Sequence, residues 1–286
     1  ESLIELMDCG GELVRVPSPD GRTMPLEGLS EAIDEETALV TISHAVYKSG
    51  YLYDLKALTR AAHDKGALVL ADLSHSVGAV PIDLDGSAVD LAIGCAYKYL
   101  NGGPGAPAFL YVRKALQDRL VPSIAGWFGT QDPFAFKPAY APTTGIRRFM
   151  VGTPPILSMR AVEPGIQLLR KAGMEAIREK SIAQSDFFIG MWEVLLKPLG
   201  FKLGSPKDGD QRGSHISLQH PEAYRINRAL IEPPEGRPVV IPDFRTPDNL
   251  RFGIAPLYLR FADLVLAVKR LVEIVETREF KRFSHE

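Results

Sequence analysis

Ala67-Leu68-Val69-Leu70-Ala71-Asp72-Leu73-Ser74-His75-Ser76, followed after a spacer by Tyr97-Lys98-Tyr99-Leu100-Asn101-Gly102-Gly103-Pro104-Gly105, governs the reading of the whole chain. Ala67 to Ala71 is a short continuous apolar run, the pattern of a strand buried on both faces of a parallel sheet. Asp72 then falls at that strand's carboxyl end, the edge where open α/β sheets hold their ligands. A second apolar run, Val89 to Cys95 with Asp90 inside it, carries Tyr97 and Lys98 to the same edge. Lys98 there faces a crevice instead of open solvent.

An amine and a carboxylate at neighbouring strand ends fit the needs of pyridoxal 5'-phosphate (PLP). That cofactor takes a lysine to hold its aldehyde, and an acid to keep its pyridine nitrogen protonated. Lys98 and Asp72 match those roles, and burial beside a cationic ring lowers a lysine's pKa and frees its amine to attack a carbonyl. His75 has two uses: against the ring face, or orienting the acid. Tyr97 also has two: reaching the cofactor phosphate, or moving a proton. Taken singly, each residue has a plainer explanation. An Asp after a strand is usually a turn or cap residue, a Lys a solvated charge, and a glycine-rich run a tight turn. The combination at two strand ends is what separates the readings.

Asp72-Leu-Ser-His75-Ser-Val-Gly-Ala-Val-Pro and Gly94-Cys-Ala-Tyr97-Lys98-Tyr-Leu-Asn-Gly-Gly-Pro-Gly resemble the kynureninases, PLP enzymes of fold type I related to the class V aminotransferases. The resemblance runs along nearly the whole chain. It implies an α/β fold with a mostly parallel sheet covered by helices, as in the fold type I large domain, plus a smaller C-terminal α/β domain. The expected division is 1–160 for the PLP-binding large domain and 161–286 for the small one. By the same resemblance, kynureninases carry a segment ahead of Glu1 with a phosphate-binding turn and an aromatic that stacks on the ring. That N-terminal part of the family fold is absent from the sequence in hand.

With 286 residues the chain exceeds one ordinary compact domain. A hydrophobic fraction of 45%, a charged fraction of 24% and a net charge of −2 are those of a soluble globular protein, and they argue against nucleic acid as the main partner. Two cysteines, Cys9 and Cys95, make neither a disulfide framework nor a paired metal motif, which suits a reducing cytoplasm and gives no metal site. No apolar stretch approaches membrane-spanning length.

In chain order, Leu3 to Met7 is expected to finish a helix or start a strand, Cys9-Gly10-Gly11 to turn, and Leu13 to Val16 to form a short strand. Ala38 to Ser43 is the first convincing buried strand. Ser43 at its end has a hydroxyl to offer the cofactor edge, or to cap a turn; the resemblance places it near the cofactor. Asp54 caps a helix running through Lys65, closed by Gly66. The strand and helix alternation then continues through Asp72, Asp90 and Lys98 to a further strand, Ala108 to Val112. From Val121 to Pro155 periodicity disappears into a proline-rich, aromatic loop that is expected to cover a neighbouring active site or a dimer interface. The resemblance implies that the Trp127 indole N–H meets the cofactor phosphate, and that Gly152-Thr153 lies where a second subunit meets the site. Helices over Ser158–Lys171, Met174–Leu196, Glu222–Ile231 and Ala262–Thr277, with strands at Phe201–Leu203, Ser214–Leu218 and Val239–Ile241, complete the small domain. His44 and His215 read as structural histidines.

Arg251 can grip a carboxylate with two parallel hydrogen bonds, which suits an amino-acid substrate. A domain-bridging salt pair is the plainer reading of the residue alone, and the resemblance decides for the substrate carboxylate. Arg245 is a weaker candidate. The resemblance thus implies PLP-dependent hydrolysis of L-kynurenine or 3-hydroxy-L-kynurenine to an anthranilate and L-alanine, in tryptophan catabolism, by a homodimer with shared active sites. Two alternatives stand beside it. One is another fold type I enzyme, a cysteine desulfurase or aminotransferase, although neither cysteine sits on an evident mobile loop. The other is an inactive fragment that needs its missing N-terminal segment.

Overall fold

A computed structural model describes residues 11–284. The expectations for Leu3 to Met7 and for Cys9 lie outside the described residues. Two four-stranded sheets organise what is described. The first contains β1 (Leu39–Ser43), β2 (Leu68–Asp72), β3 (Leu91–Cys95) and β4 (Ala108–Val112), in that order. β1, β2 and β3 run parallel, in the register Ser43 beside Asp72 and Asp72 beside Ile93. β4 returns antiparallel, pairing Cys95 with Ala108.

The second sheet is antiparallel throughout and contains β5 (Lys202–Leu203), β6 (His215–Gln219), β7 (Asp243–Arg245) and β8 (Asn249–Gly253), in the order β5-β6-β8-β7. Five longer helices cover the sheets: α1 (Leu55–His63), α2 (Ile156–Ala172), α3 (Met174–Met191), α4 (Ala223–Ile231) and α5 (Phe261–Glu276). No described helix is long and apolar enough to cross a membrane.

Local chemistry explains these boundaries. Asp54 accepts from Ala57 N at 3.0 Å and caps α1, which buries Leu55, Leu58 and Ala62. Burying side chains of this kind stabilises by about 1.5–3 kcal/mol for each leucine. Val69 and Ala71 of β2 are fully buried, as an apolar run between two neighbouring strands requires. The second sheet encloses the larger core, in which Phe188, Trp192, Ile216, Leu230, Leu250 and Leu271 form one cluster.

Two expectations need correction. Residues 11–16 form no strand and are largely exposed, because no strand among the described residues pairs with them. Val239–Ile241 is β-branched but makes no ladder; Val239 and Ile241 are exposed, and the strand lies farther on at Asp243–Arg245. In addition, Asn249–Gly253 is a central strand of its sheet, although its sequence places an arginine in the middle.

The two sheets are stitched together where the loop after β1 meets the start of β6. Gly213 N donates to Gly50 O at 2.7 Å, and Leu52 N donates to Gln211 O at 2.9 Å. Gly50 has φ +76°, and a Cβ there would stand 3.0 Å from the His215 carbonyl, so the close approach needs glycine. This seam brings β8 alongside the carboxyl edge of the first sheet.

Candidate active site at the seam between the two sheets

Asp72 ends β2, and Lys98 follows β3 by three residues; because the strands are parallel, both reach the same edge. Asp72 turns one carboxylate oxygen back to accept from Ser74 N at 2.8 Å, which shapes the turn leading to His75. The His75 Nε2 atom is 3.0 Å from Lys98 Nζ. The same nitrogen is 3.3 Å from Arg251 Nη1, so the lysine of the first sheet and the arginine of the second meet at one imidazole.

Electrostatics follow from that crowding. Burial, chiefly, and then the neighbouring Lys98 and Arg251 charges lower the His75 pKa to about 4, so its ring is neutral at physiological pH. A neutral imidazole between two cations offers its lone pair to only one of them at a time. Burial is also the main cause that lowers Lys98 below the ordinary lysine range; Cys95 and Asp72 pull the other way, while Arg251 and Arg245 push it further down. The amine is thereby shifted towards its neutral, nucleophilic form.

Arg251 lies in β8 opposite Asp243 of β7 and is held from both sides. Its Nη1 donates to Tyr47 O at 2.6 Å, and its Nη2 pairs with the Asp243 carboxylate. Arg245 Nη2 reaches the same carboxylate oxygen at 2.9 Å, so two guanidinium groups share one acid at the mouth of the site. Tyr97 is half-exposed, and Lys98 Nζ is 5.5 Å from its ring centroid. The adjacent Cys95 thiol pushes the Tyr97 phenol up. Ser43 stands beside Asp72 in register and is partly buried.

The structure thus gathers Asp72, His75, Tyr97, Lys98, Ser43 and Arg251 at one edge. It does not bring Trp127 or Thr153 to them. The Trp127 indole N–H donates to Pro133 O at 2.7 Å, and its ring packs against Phe128, Phe134 and Phe136. This aromatic loop encloses a cavity of about 570 Å³, lined by Trp127, Thr130, Pro133, Phe136 and Tyr140 among others, apart from the lysine and the histidine. Thr153 is exposed in the segment before α2.

Three residues at the site escape the sequence reading. His215, taken as structural, is buried, and its ring centroid is 5.9 Å from that of His75. Cys95 is the last residue of β3 rather than an interior one, and its Sγ is 3.8 Å from Ser74 O. Asp243 has no signal in the sequence beyond its distance of eight residues from Arg251.

Residues 177–271 match the family model described as the kynureninase C-terminal domain. Over 281 residues the chain is 43% identical to a kynureninase of Burkholderia mallei (strain SAVP1), covering 98% of this chain and 65% of that protein. It is 42% identical over 278 residues to a kynureninase of Pseudomonas fluorescens, covering 97% of this chain and 64% of that protein. The chain therefore spans just under two-thirds of the length of these relatives.

Among solved structures, a cysteine desulfurase from Escherichia coli superposes with a TM-score of 0.80 at 16% identity, over 96% of this chain and 68% of that one. An alanine–glyoxylate aminotransferase from Nostoc sp. superposes at 0.68 with 22% identity, over 88% and 66%. These likenesses establish the fold as that of the fold type I enzymes.

Proposed function

Because the chain belongs to the kynureninase family over the portion of those proteins that it spans, we propose that it supplies the catalytic edge of a PLP-dependent hydrolase acting on L-kynurenine or 3-hydroxy-L-kynurenine. In the net reaction, water cleaves the bond between the side-chain ketone carbon and the β-carbon. The water oxygen leaves in the carboxylate of anthranilate or 3-hydroxyanthranilate, and the three-carbon remainder leaves as L-alanine.

The residues at the seam fit the cofactor by the chemistry of their donor set: a lysine amine depressed by burial, an acid on the same strand edge and a neutral imidazole in contact with the amine. When bound, PLP supplies an electron sink for negative charge developing beside the substrate's amine carbon. Lys98 would hold the cofactor aldehyde, and once released by the substrate amine it would move a proton at the α-carbon. Asp72 would keep the ring nitrogen protonated. His75 and Ser43 would line the cofactor, and Trp127 and Thr153, which lie apart from this chain's own lysine, would meet the cofactor of a neighbouring subunit. Arg251, with its fork fixed by Tyr47 O and Asp243, would take the α-carboxylate. Tyr97, exposed beside Lys98, would give a proton to the β-carbon that becomes the methyl group of alanine.

The observation that supports this reading is the pair of contacts at His75 Nε2, which bring the Lys98 amine and the Arg251 guanidinium within one small-molecule span. Its test is Lys98→Ala in the full-length natural protein supplied with PLP. The visible band of lysine-linked cofactor is expected to vanish and anthranilate release to cease. An unchanged spectrum and rate would overturn the assignment.

Further parts of the reading rest on the same basis. A division into a large domain at 1–160 and a small one at 161–286 is supported by the separate sheets on either side of it. A homodimer is supported by exposed apolar side chains at Phe134, Phe136, Leu157 and Leu168. Two cysteines without a disulfide framework support a reducing compartment such as the cytoplasm.

A further inference from the structure

Tyr99 follows the candidate cofactor lysine directly, yet the chemistry proposed above gives it no part. Its ring packs against a buried cluster of Ala45, Leu52, Ala79 and Val80. Its hydroxyl crosses the seam and donates to Ser214 O at 2.6 Å. That carbonyl also accepts from Ile254 N at 2.8 Å, and the Ser214 hydroxyl donates to Ile254 O at 2.6 Å. Ile254 lies three residues beyond Arg251 on the same strand and its extension. A short chain of contacts therefore runs from Lys98 through Tyr99 and Ser214 to the backbone that carries Arg251.

The Tyr99 end is fixed as firmly. Asn101 Nδ2 donates to Tyr99 O at 2.8 Å. Gly78, at φ +82°, packs so close that a Cβ there would stand 2.7 Å from the same carbonyl. Burial pushes the Tyr99 phenol up, so it stays a protonated donor throughout the working pH range. A phenol held protonated against a single backbone carbonyl is a spacer, not a proton carrier.

Resting on the reading of Lys98 as the cofactor lysine and Arg251 as the carboxylate-binding residue, we propose that Tyr99 is a positioning residue that sets the distance between them and so selects amines bearing an α-carboxylate. The amine of a substrate must reach the cofactor held by Lys98 while its carboxylate reaches Arg251, and the span between these groups is fixed in an amino acid. An amine without the carboxylate uses only one of the two anchors and is indifferent to the spacing.

The test compares L-alanine with ethylamine as probes, titrated into the full-length natural protein loaded with PLP and followed by the change in the cofactor's visible spectrum. Tyr99→Phe keeps the ring in its cluster and removes the hydroxyl. It is expected to weaken L-alanine binding about five- to tenfold, the worth of one lost hydrogen bond of this kind, while ethylamine binding and PLP affinity each change by less than about twofold. Equal weakening of both probes, or no weakening of alanine, would overturn the inference. Should Tyr99→Phe fail to fold, Tyr99→Leu serves in its place, since it also lacks the hydroxyl that meets Ser214 O and keeps an apolar side chain against Ala45, Leu52, Ala79 and Val80. A selective loss of alanine binding of about threefold supports the inference and an unchanged ratio overturns it. A wild-type protein that shows no lysine-linked cofactor spectrum overturns the reading beneath the inference and the inference with it. A normal wild-type spectrum with unselective variants overturns the inference alone.

Discussion

Asp90 and Asp72 stand at opposite edges of the first sheet and are treated in opposite ways. Asp90, just before β3 at the amino-terminal edge, is wholly buried; it accepts from Val69 N at 2.9 Å, meets His63 Nε2 at 2.7 Å and pairs with Arg113 at 2.5 Å. These contacts join α1, β2, β3 and the end of β4. Asp72, at the carboxyl edge, is only partly buried; it accepts from Ser74 N and lies close enough to His75 and Lys98 for its charge to act on both. A carboxylate saturated by partners in its own fold has nothing left to offer a ligand. One held by a single turn bond, with cations gathered beside it, still has lone pairs for a ring nitrogen.

That contrast breaks most visibly on exchanging each acid for its amide. On the role proposed for Asp72 at the cofactor's ring nitrogen, Asp72→Asn should lower the rate of anthranilate release by about a hundredfold or more, with unfolding in urea little changed. Asp90→Asn should do the reverse. The buried Arg113 and His63 contacts lose their counter-charge, and stability falls by about 3 kcal/mol, the lower end for such a loss because both partners reach solvent. Equal effects of the two substitutions on rate and on urea midpoint would show that the edges do not divide the labour.

A smaller effect is expected at Arg251, the cation that the second sheet contributes to the functional edge. Arg251→Lys keeps the charge but loses the fork that Tyr47 O and Asp243 hold in place. KM for kynurenine should rise about tenfold with a lesser change in kcat, the pattern of lost ground-state binding. A fall in kcat at constant KM would move Arg251 from holding the substrate to some later step.

The functional edge is also the part most legible in the sequence, and the reason is burial. β2 is covered by β1 and β3, so its apolar run is continuous, and the chain can place Asp72 only where the run stops. Lys98 is found by the same logic one strand later. The direction of β4 is less legible: the twelve residues between Cys95 and Ala108 are about as many as the shortest helical crossover uses, and only their glycines and prolines favour a strand that turns back. β8 is different. Asn249 and Arg251 are polar residues in a central strand, tolerable only because Asn249 accepts from Ser217 and Arg251 reaches across the seam, and neither partner is local in sequence. His215 and Tyr99 are missed for the same reason, since their meaning comes from contacts 140 and 115 residues away, with His75 and Ser214 respectively. Trp127 was placed by resemblance alone, and its indole N–H is engaged within its own loop.

The finest way to sharpen the comparison is through protons. Burial holds His44 and His75 at pKa values of about 4 and His215 at about 3, all on the functional side of the sheet or at the seam. In the unfolded chain these rings take up protons near the ordinary histidine value of about 6.5. At pH 7 and above they are neutral in both states and contribute no pH dependence. As pH falls through about 6.5 towards 4, the unfolded state binds protons that the native state refuses, so stability drops with falling pH. Urea midpoints measured between pH 7 and pH 5 should therefore decline, with an uptake on unfolding that approaches three protons near pH 5. His215→Gln should remove about one of them and flatten the slope, while an acid-edge variant such as Asp90→Asn should leave the slope from these three rings in place. A slope indifferent to His215 would mean that its ring already carries a proton in the native protein, and that the seam is more polar than its burial implies.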